Sequence, residues 1–354
     1  MTDIINSNDS LPHKRRIRYK GKYPRQFKEK YKELHPEKYS GIVEKVINKG
    51  STPAGMHIPI MVNEILDFLQ IHPGMIGLDA TLGYGGHTLQ MLKKLNHHGH
   101  IYACDVDPLE SEKTKKRLYK EGFDENTLTV KLMNFSCIDE LSQSAGLFDF
   151  VLADLGVSSM QIDNPDRGFS YKNDGPLDLR LNPQTGISAA ERLQDITQPE
   201  LEGMLIDNAD EPFAYEISQV ITEDIRQNQV IDTTKKLHNE IKKALAHLPY
   251  KDRELAIKKA SARTFQALRI DVNHEYEALY DFLAKLPHVL KPKGRVAILT
   301  FHSGEDRLVK KAFKEFYHRG IYNQIAKDVL RPSKEECIRN SRAHSTKMRW
   351  AIKA

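Results

Sequence analysis

Short apolar runs alternate with amphipathic stretches along the first half of the chain. Between residues 75 and 156 the apolar runs are "MIGLDA", "IYACDVD", "LTVKLM" and "FDFVLADLG". Runs of this length that end near Gly, Asp or Asn predict buried strands. Stretches such as "HTLQMLKKL" and "LESEKTKKRLYKE" lie between them and have helical spacing. The alternation predicts an α/β fold with a mostly parallel, Rossmann-like sheet.

This rhythm is interrupted after residue 160. A loop rich in Asn, Asp, Gly and Pro is followed by polar helical patterns and by no strand run, until "GRVAILTF" and "KMRWAIKA" predict further strands. We therefore expect a helical insertion at 161–260. The α/β domain would comprise 56–160 plus 261–354, and it would start with a helix at 56–70. Residues 1–55 form a separate N-terminal extension.

Composition limits the class of protein. The chain has 354 residues, of which 40% are hydrophobic and 29% are charged, with a net charge of +5. No window has 18 uncharged apolar residues, so we expect no membrane span, and the N-terminus lacks a signal-peptide layout. The three cysteines show no paired metal spacing and no disulfide framework. We expect a protein of the reducing cytoplasm, without a metal centre.

The positive charge is concentrated in the N-terminal extension. Residues 14–38 hold eleven Lys or Arg against three Glu, a local charge of +8, so the rest of the chain sums to about −3. Aromatic residues recur there at four-residue intervals. Cations neutralise phosphates and aromatic rings stack on bases, so the extension suits RNA. A solvated arm whose aromatic residues pack on the protein is an equally good interpretation.

A glycine cluster in "LDATLGYGGHT" (78–88) follows the first predicted strand and indicates a ligand that approaches the backbone. A P-loop would need Lys followed by Ser or Thr, which His87 and Thr88 do not provide. A dinucleotide fingerprint would need glycine where Thr88 stands. The cluster alone is compatible with a structural turn.

S-adenosylmethionine fits the acidic strand ends better than a phosphate does, because it carries an ammonium and a sulfonium. Asp105 ends the second predicted strand, where a carboxylate can accept the ribose hydroxyls. Asp154 ends the fourth, beside the expected switch point of the sheet. A helix or turn cap is the alternative for Asp154. Together these features favour methyl transfer.

Longer motifs resemble a known family. The stretches "DATLGYGGHT", "DLGVSSMQIDNPDRGFSYKNDGPLDLRLNP", "ARTFQALRIDVNHE", "FHSGEDRLVK" and "NSRAHSTKMRW" resemble the bacterial 16S rRNA (cytosine-N4)-methyltransferase family, from about residue 56 to 354. The resemblance implies a class I S-adenosylmethionine-dependent fold with a helical insertion that recognises substrate. It also implies action on a decoding-centre cytidine of the small ribosomal subunit. The cofactor residues that it implies are Gly85, Gly86, His87, Asp105, Phe135, Asp154 and Gln161.

The sequence determines the residues that bind the substrate less well than those that bind the cofactor. Asp154 is the candidate acceptor for the proton of the exocyclic amine, and cofactor binding is its alternative role. His302 is a candidate for orienting the base. Further candidates for RNA contact are Arg167, Phe169, Tyr171, Arg263 and Arg269. Phe169 could instead pack against the insertion, and the last two arginines could instead pair with Asp163 or Asp166.

Two departures from the family pattern leave the target open. Gly304 stands where the family has leucine in "FHSLEDR", which would loosen the start of a helix, and the basic extension is absent from the common short members. Methylation at cytosine carbon 5 is disfavoured, because no cysteine neighbours Asp154 in the sequence. The alternatives are a methyltransferase for another RNA or base, or a non-catalytic RNA-binding ribosome-assembly protein; a nicotinamide dehydrogenase is weakest. The oligomeric state is undetermined.

Overall fold

The computed structural model describes residues 59–354, apart from the side chain of residue 341. The basic extension at 1–55 lies outside the described residues, so its proposed contact with RNA stays a prediction. The first described helix is α1, Val62–Leu69. It is shorter than the helix predicted at 56–70, whose first residues also lie outside the described part.

A Rossmann-like α/β unit follows α1. Its elements are β1 (Ile76–Asp79), α2 (Gly86–Leu95), β2 (His100–Asp105), α3 (Pro108–Lys120), β3 (Leu128–Leu132), α4 (Ile138–Ala145) and β4 (Phe148–Asp154). The four predicted strands of this region are confirmed, because each apolar run is long enough to cross the sheet and ends at a polar residue.

Helices then replace the alternation. They are α5 (Ser159–Asp163), α6 (Ala189–Gln194), α7 (Gln198–Ala209), α8 (Ala214–Arg226), α9 (Thr234–Ala244), α10 (Tyr250–Val272) and α11 (Glu275–Val289). No strand lies between the end of β4 and the start of β5. Helix α10 continues past the expected boundary at 260/261, and Phe265 and Leu268 pack in the same hydrophobic cluster as α6–α9. The domain division itself stays a prediction.

The chain returns to the sheet at its C-terminal end. The remaining elements are β5 (Leu290–Thr300), α12 (Ser303–His318), β6 (Tyr322–Ile325), α13 (Lys334–Arg339) and β7 (Lys347–Lys353). The described strands form one seven-stranded sheet in the order β3-β2-β1-β4-β5-β7-β6, parallel except for β7, which is antiparallel to both neighbours. The predicted mostly parallel α/β sheet is thereby confirmed. The short strand β6 was not predicted.

The sheet is covered on both faces, and β4 shows why. Val151 and Ala153 pack in one cluster with α4, α11 and α12, whereas Phe150 and Leu152 pack in the other with α1 and α2. Side chains alternate between the faces of a strand, so a strand buried on both faces is apolar throughout. None of the helices in residues 59–354 is long and apolar enough to cross a lipid bilayer.

Candidate active site

The carboxyl ends of β2, β1 and β4 meet at one edge of the sheet. These strands are parallel neighbours, and they end at Asp105, Asp79 and Asp154 respectively. The chain order reverses between β1 and β4, so this edge is the switch point at which open α/β sheets bind ligands. The tertiary structure thus brings together the acidic residues that the sequence identified separately.

The glycine loop owes its composition to close packing. Gly85 has φ +67° and caps α2, and a Cβ on it would lie 2.7 Å from Thr114 Cγ2. A Cβ on Gly86 would lie 3.0 Å from Pro59. A Cβ on Gly83, with φ +47°, would make only an ordinary contact, 3.9 Å from the Thr81 carbonyl oxygen. Two of the glycines therefore serve the fold, and the third leaves room above the loop for a ligand.

Asp79 braces the loop from inside. It is 1% exposed, and its carboxylate accepts hydrogen bonds from the Thr88 hydroxyl (2.6 Å) and the Thr81 amide (3.1 Å). Burial raises its pKa. The Asp79 carboxylate is therefore committed to shaping the loop.

Asp105 fits a nucleoside. Its Oδ2 accepts the Gly83 amide at 2.7 Å and its Oδ1 accepts the Asp107 amide at 2.8 Å, which fixes the carboxylate plane beside the loop. Burial raises the pKa of Asp105 to about 6. Each oxygen keeps lone-pair capacity for a further donor, as a ribose diol requires. The resemblance-based assignment to the cofactor ribose is compatible with this geometry and stays a prediction.

His87 is buried between Ile60, which precedes α1, and the end of β4. Its Nε2 lies 2.8 Å from the Ile60 carbonyl oxygen, and its Nδ1 lies 3.4 Å from Oδ2 of Asp154. Burial by itself would lower the pKa of His87, but the hydrogen bond and charge of Asp154 outweigh it and the net shift is upward. The ring therefore pairs with Asp154. Its contact with the cofactor stays a prediction.

Asp154 is positioned by its backbone and by His87. Its amide donates to the Thr81 hydroxyl at 2.6 Å, and Leu155 continues the pairing with β5. Its Oδ1 has no hydrogen-bond partner among the described residues. A buried carboxylate oxygen without a donor is costly, so this atom fits a ligand donor such as an amine.

A buried ion pair joins the loop after β4 to the end of β2. Arg167 Nη1 lies 2.6 Å from Asp107 Oδ2, and Gln161 Nε2 donates to the same oxygen at 3.0 Å. Arg167 also donates to the carbonyls of Arg180 and Leu181. Both terminal nitrogens of its guanidinium therefore donate to groups inside the protein. Contact of Arg167 with RNA, expected from the sequence, is therefore corrected to a structural role.

A cavity of about 690 Å³ opens next to this pair. Val106, Met133 and Asn134 line it from the sheet side, and Leu181 and Asn273 line it from the helical side. Sequence reasoning missed Val106 and Asn134, although both directly follow predicted strands. With Asp105 adjacent, the cavity has the place and the size for the nucleoside part of a cofactor.

Phe135 does not line this cavity. Its ring packs edge-on against Phe282 of α11, with ring centroids 5.2 Å apart. Its neighbours Met133 and Asn134 line the wall instead. The predicted adenine contact of the Phe135 ring is therefore not supported by this geometry.

The other substrate candidates lie mostly inside the protein. Phe169 is 8% exposed in the helical core, and Tyr171 stacks on His238 with centroids 4.6 Å apart. Arg269 is paired with Glu275 at 2.8 Å. Phe169 and Tyr171 thus pack within the helical cluster, so the packing alternative for Phe169 is confirmed, and Arg269 joins α10 to the start of α11.

The last two substrate candidates are Arg263, which is partly exposed, and His302, which follows β5. The Arg263 side chain is 38% exposed and lies 3.8 Å from Glu211, not from Asp163 or Asp166, and Asp163 pairs with Arg342 instead. The alternative that Arg263 and Arg269 pair with Asp163 or Asp166 is therefore wrong, because their partners are Glu211 and Glu275. His302 caps α12, and its Nε2 lies 3.1 Å from Glu305 without the alignment of a hydrogen bond.

Gly304 leaves room for a tyrosine beside the start of α12. A Cβ at this position would collide with the hydroxyl of Tyr276, which donates to the Asn208 carbonyl at 3.2 Å. Gly304 is itself buried in the first turn of α12. The phenol ring fills the space that a leucine at 304 would need, and the expected loosening of α12 stays a prediction.

Comparisons with known proteins identify the family of this chain. Residues 54–354 match the model of the MraW methylase family. Ribosomal RNA small subunit methyltransferase H 1 of Lachnoclostridium phytofermentans is 66% identical over 354 residues, 100% of this chain and 97% of that protein. The protein of the same name from Agathobacter rectalis is 64% identical over 98% of this chain and 99% of its own length.

The structure of a putative rRNA-methylase from Clostridium thermocellum aligns with 84% of this chain and 100% of that chain. The identity is 11% and the TM-score is 0.41, a likeness that adds nothing about function. The family model covers the whole described part of the chain and every residue of the candidate site. The protein belongs to the MraW methylase family.

Proposed function

We propose that the protein transfers a methyl group from S-adenosylmethionine to the exocyclic N4 amine of a cytidine in 16S rRNA, at the decoding centre of the small ribosomal subunit. The observation that carries the proposal is the buried Asp154 Oδ1, which lacks a partner among the described residues at the switch point of the sheet. The name of the relatives, which specifies ribosomal RNA of the small subunit, supports the substrate class. Such a substrate implies action in the cytoplasm.

The donor set fits S-adenosylmethionine. Asp105 offers a fixed carboxylate for the ribose, the cavity lined by Val106 and Met133 offers apolar surface for the adenine, and Gly83 has no side chain that would block the remainder. When bound, the cofactor supplies an electrophilic methyl group on a sulfonium. The glycine loop and the Asp105 carboxylate would hold the cofactor at this edge of the sheet.

Asp154 is the acceptor for the proton that the substrate amine must lose. The lone pair of the cytosine amine is delocalised into the ring, so the amine is a poor nucleophile. A carboxylate that accepts an N4 hydrogen bond orients the amine and receives the departing proton. The cytidine must leave its stack to reach this edge of the sheet, as bases do in other enzymes that modify them.

Carbon-5 chemistry is disfavoured by the described cysteines. That reaction requires a thiolate nucleophile. Cys104 is buried inside β2, and burial raises its pKa to about 12, so it stays a thiol. Cys137 and Cys337 lie at the end of a short 3₁₀ turn after β3 and in α13, not in the loop after β4.

The helical insertion is the proposed RNA-recognition element. Helices α9 and α10 expose Lys242, Lys251, Lys258 and Lys259, and none of these forms an ion pair with another described residue. The ring of Tyr250 at the start of α10 is 86% exposed. Unpaired cations beside an exposed aromatic ring suit a phosphate backbone with accessible bases.

Mass mapping of modified nucleosides in small-subunit RNA tests the proposal. RNA from cells with and without the protein would be compared, and purified protein would be added back to the unmodified subunits. We expect N4-methylcytidine at the decoding centre to disappear and then return. Methylation of another nucleotide would overturn the target, and no S-adenosylmethionine binding would favour a non-catalytic assembly role.

A further inference from the structure

Both ring nitrogens of His87 face an acceptor. Nε2 lies 2.8 Å from a carbonyl oxygen, that of Ile60, and Nδ1 lies 3.4 Å from a carboxylate oxygen, Oδ2 of Asp154. A carbonyl only accepts, so Nε2 carries a proton. A second proton on Nδ1, directed at Oδ2, would keep two lone pairs from facing each other across this 3.4 Å distance.

We propose that His87 and Asp154 form a proton-sharing pair, in which the imidazolium of His87 positions the Asp154 carboxylate so that Oδ1 receives the proton of the substrate amine. This inference rests on the proposed function. It gives His87 a role that lining the cofactor site would not require. The side chain of His87 is 8% exposed and that of Asp154 is 24% exposed, so the pair faces the site through Asp154.

In the proposed reaction this pair takes up the proton that the amine loses. Nitrogen N4 forms the new N–C bond as the S–C bond of the sulfonium breaks, so a neutral thioether leaves and N4 carries the positive charge. The N–H bond then breaks toward Asp154 Oδ1, and its electron pair stays on N4. The pair changes from carboxylate and imidazolium to carboxylic acid and imidazolium, and it releases one proton to solvent after turnover.

The surroundings favour the imidazolium. Two carboxylates face His87, namely Asp154 from β4 and Asp79 from β1, and the Ile60 carbonyl contacts its other side. Asp79 is in turn held by the Thr88 hydroxyl. The pKa of His87 is raised overall, so its ring loses the shared proton only at a pH above the ordinary pKa of histidine. Turnover should then fall on the alkaline side, as Oδ2 and Nδ1 begin to repel each other.

Nitrogen NMR of protein labelled with ¹⁵N in histidine tests the pair directly. The chain has 15 histidines, and the difference spectrum of His87→Gln identifies the signals of His87. We expect both ring nitrogens of His87 to be protonated at neutral pH, and its pKa to fall by about 1–3 units in Asp154→Asn. A single ring proton at neutral pH in the native protein would overturn the proposal.

A control variant exists at the opposite edge of the sheet. His100, at the start of β2, is also bonded at both ring nitrogens, to the Asn126 carbonyl and the Thr129 hydroxyl. His100→Gln should leave the His87 signals and the turnover unchanged. The NMR measurement needs no RNA, so a failure of cytidine methylation would not affect its outcome.

Kinetics of two substitutions separate positioning from cofactor contact. In His87→Asn the amide can replace the Nδ1 donor to Asp154, whereas in His87→Gln it can replace only the Nε2 donor to Ile60. We expect kcat to fall about 10–100-fold in the Gln variant, with substantial recovery in the Asn variant and loss of the alkaline limb in both. Unchanged kcat with weaker S-adenosylmethionine binding in both variants would overturn the positioning role.

Discussion

Arg167 Nη1 lies 2.6 Å from Asp107 Oδ2, and the two side chains are 9% and 0% exposed. Asp107 uses its other oxygen to cap α3 through the amides of Leu109 and Glu110. Arg167 also holds the carbonyls of Arg180 and Leu181, and Leu181 lines the cavity. One buried pair therefore connects the segment that follows β4 to the strand end that carries Asp105.

Breaking this pair should destabilise the fold and weaken cofactor binding. We expect Arg167→Ala to lower the free energy of unfolding by about 3–5 kcal/mol, because it leaves the buried Asp107 charge without its partner. Denaturant titration and S-adenosylmethionine calorimetry measure the two effects. Arg307→Ala, which breaks an exposed pair with Asp210, is the control and should cost about 1 kcal/mol or less. Equal costs for the two variants would contradict the prediction.

Cofactor affinity should depend on pH through Asp105. Its pKa is raised to about 6 by burial, and the ionised form is the acceptor, so affinity should fall as the pH drops from 7 to 5. Asp105→Asn should bind about 10–100-fold more weakly at pH 7 and should lose this pH dependence. Calorimetry at several pH values measures both effects.

Asp149 provides the control for that experiment. It lies near the opposite end of β4, where it binds Lys291 at 2.8 Å and the Ile76 amide. Asp149→Asn should keep the pH dependence of the native protein. A pH dependence that persists unchanged in Asp105→Asn would assign it to another group.

Asp154→Asn should separate chemistry from binding. We expect turnover to fall by about 10²–10⁴-fold, because the amide cannot receive the amine proton, while S-adenosylmethionine affinity changes little. Single-turnover methylation of small-subunit RNA and calorimetry measure the two quantities. If affinity and turnover fall together, Asp154 serves binding only.

Gly304 and Tyr276 should be energetically coupled. Gly304→Ala should lower the free energy of unfolding by about 1–3 kcal/mol, because the new Cβ collides with the Tyr276 hydroxyl. Tyr276→Leu should relieve part of that cost in a double-mutant cycle. Gly203→Ala is the matched control: a Cβ at that helical position meets no atom within 4 Å, so we expect a gain of about 0.4–1 kcal/mol. Additive effects at 304 and 276 would refute the coupling.

The cations of α10 should contribute to RNA affinity. Replacing Lys258 and Lys259 by alanine should weaken RNA binding and lower the slope of log K against log salt concentration by up to about 2, while cofactor binding stays unchanged. The control replaces Lys113 and Lys116 of α3, which are exposed but already paired with glutamates. Equal effects from both double variants would exclude a specific role for α10.

The sequence by itself determined the sheet and the acidic edge. Apolar runs of strand length can only be buried between helices, and parallel strands end at one edge, so Asp105 and Asp154 were predictable as neighbours of a ligand. The motifs also identified the family. The domain boundary expected at 260/261 stays a prediction, and it falls inside α10, which runs through "SARTFQALRI" without a Gly or Pro to stop it.

Only the tertiary structure decided what each site residue contacts. Arg167 and Asp107 are 60 residues apart in the chain, and His87 and Asp154 belong to different strand–helix units. A guanidinium or an imidazole in a sequence has the same donors whether it meets RNA or a buried carboxylate. Burial and distance decide between these partners, because a charge removed from water must find its counterpart inside the fold. Contact with another element also decides which residue fits at 304, because Tyr276 of α11 occupies the space that a side chain there would need.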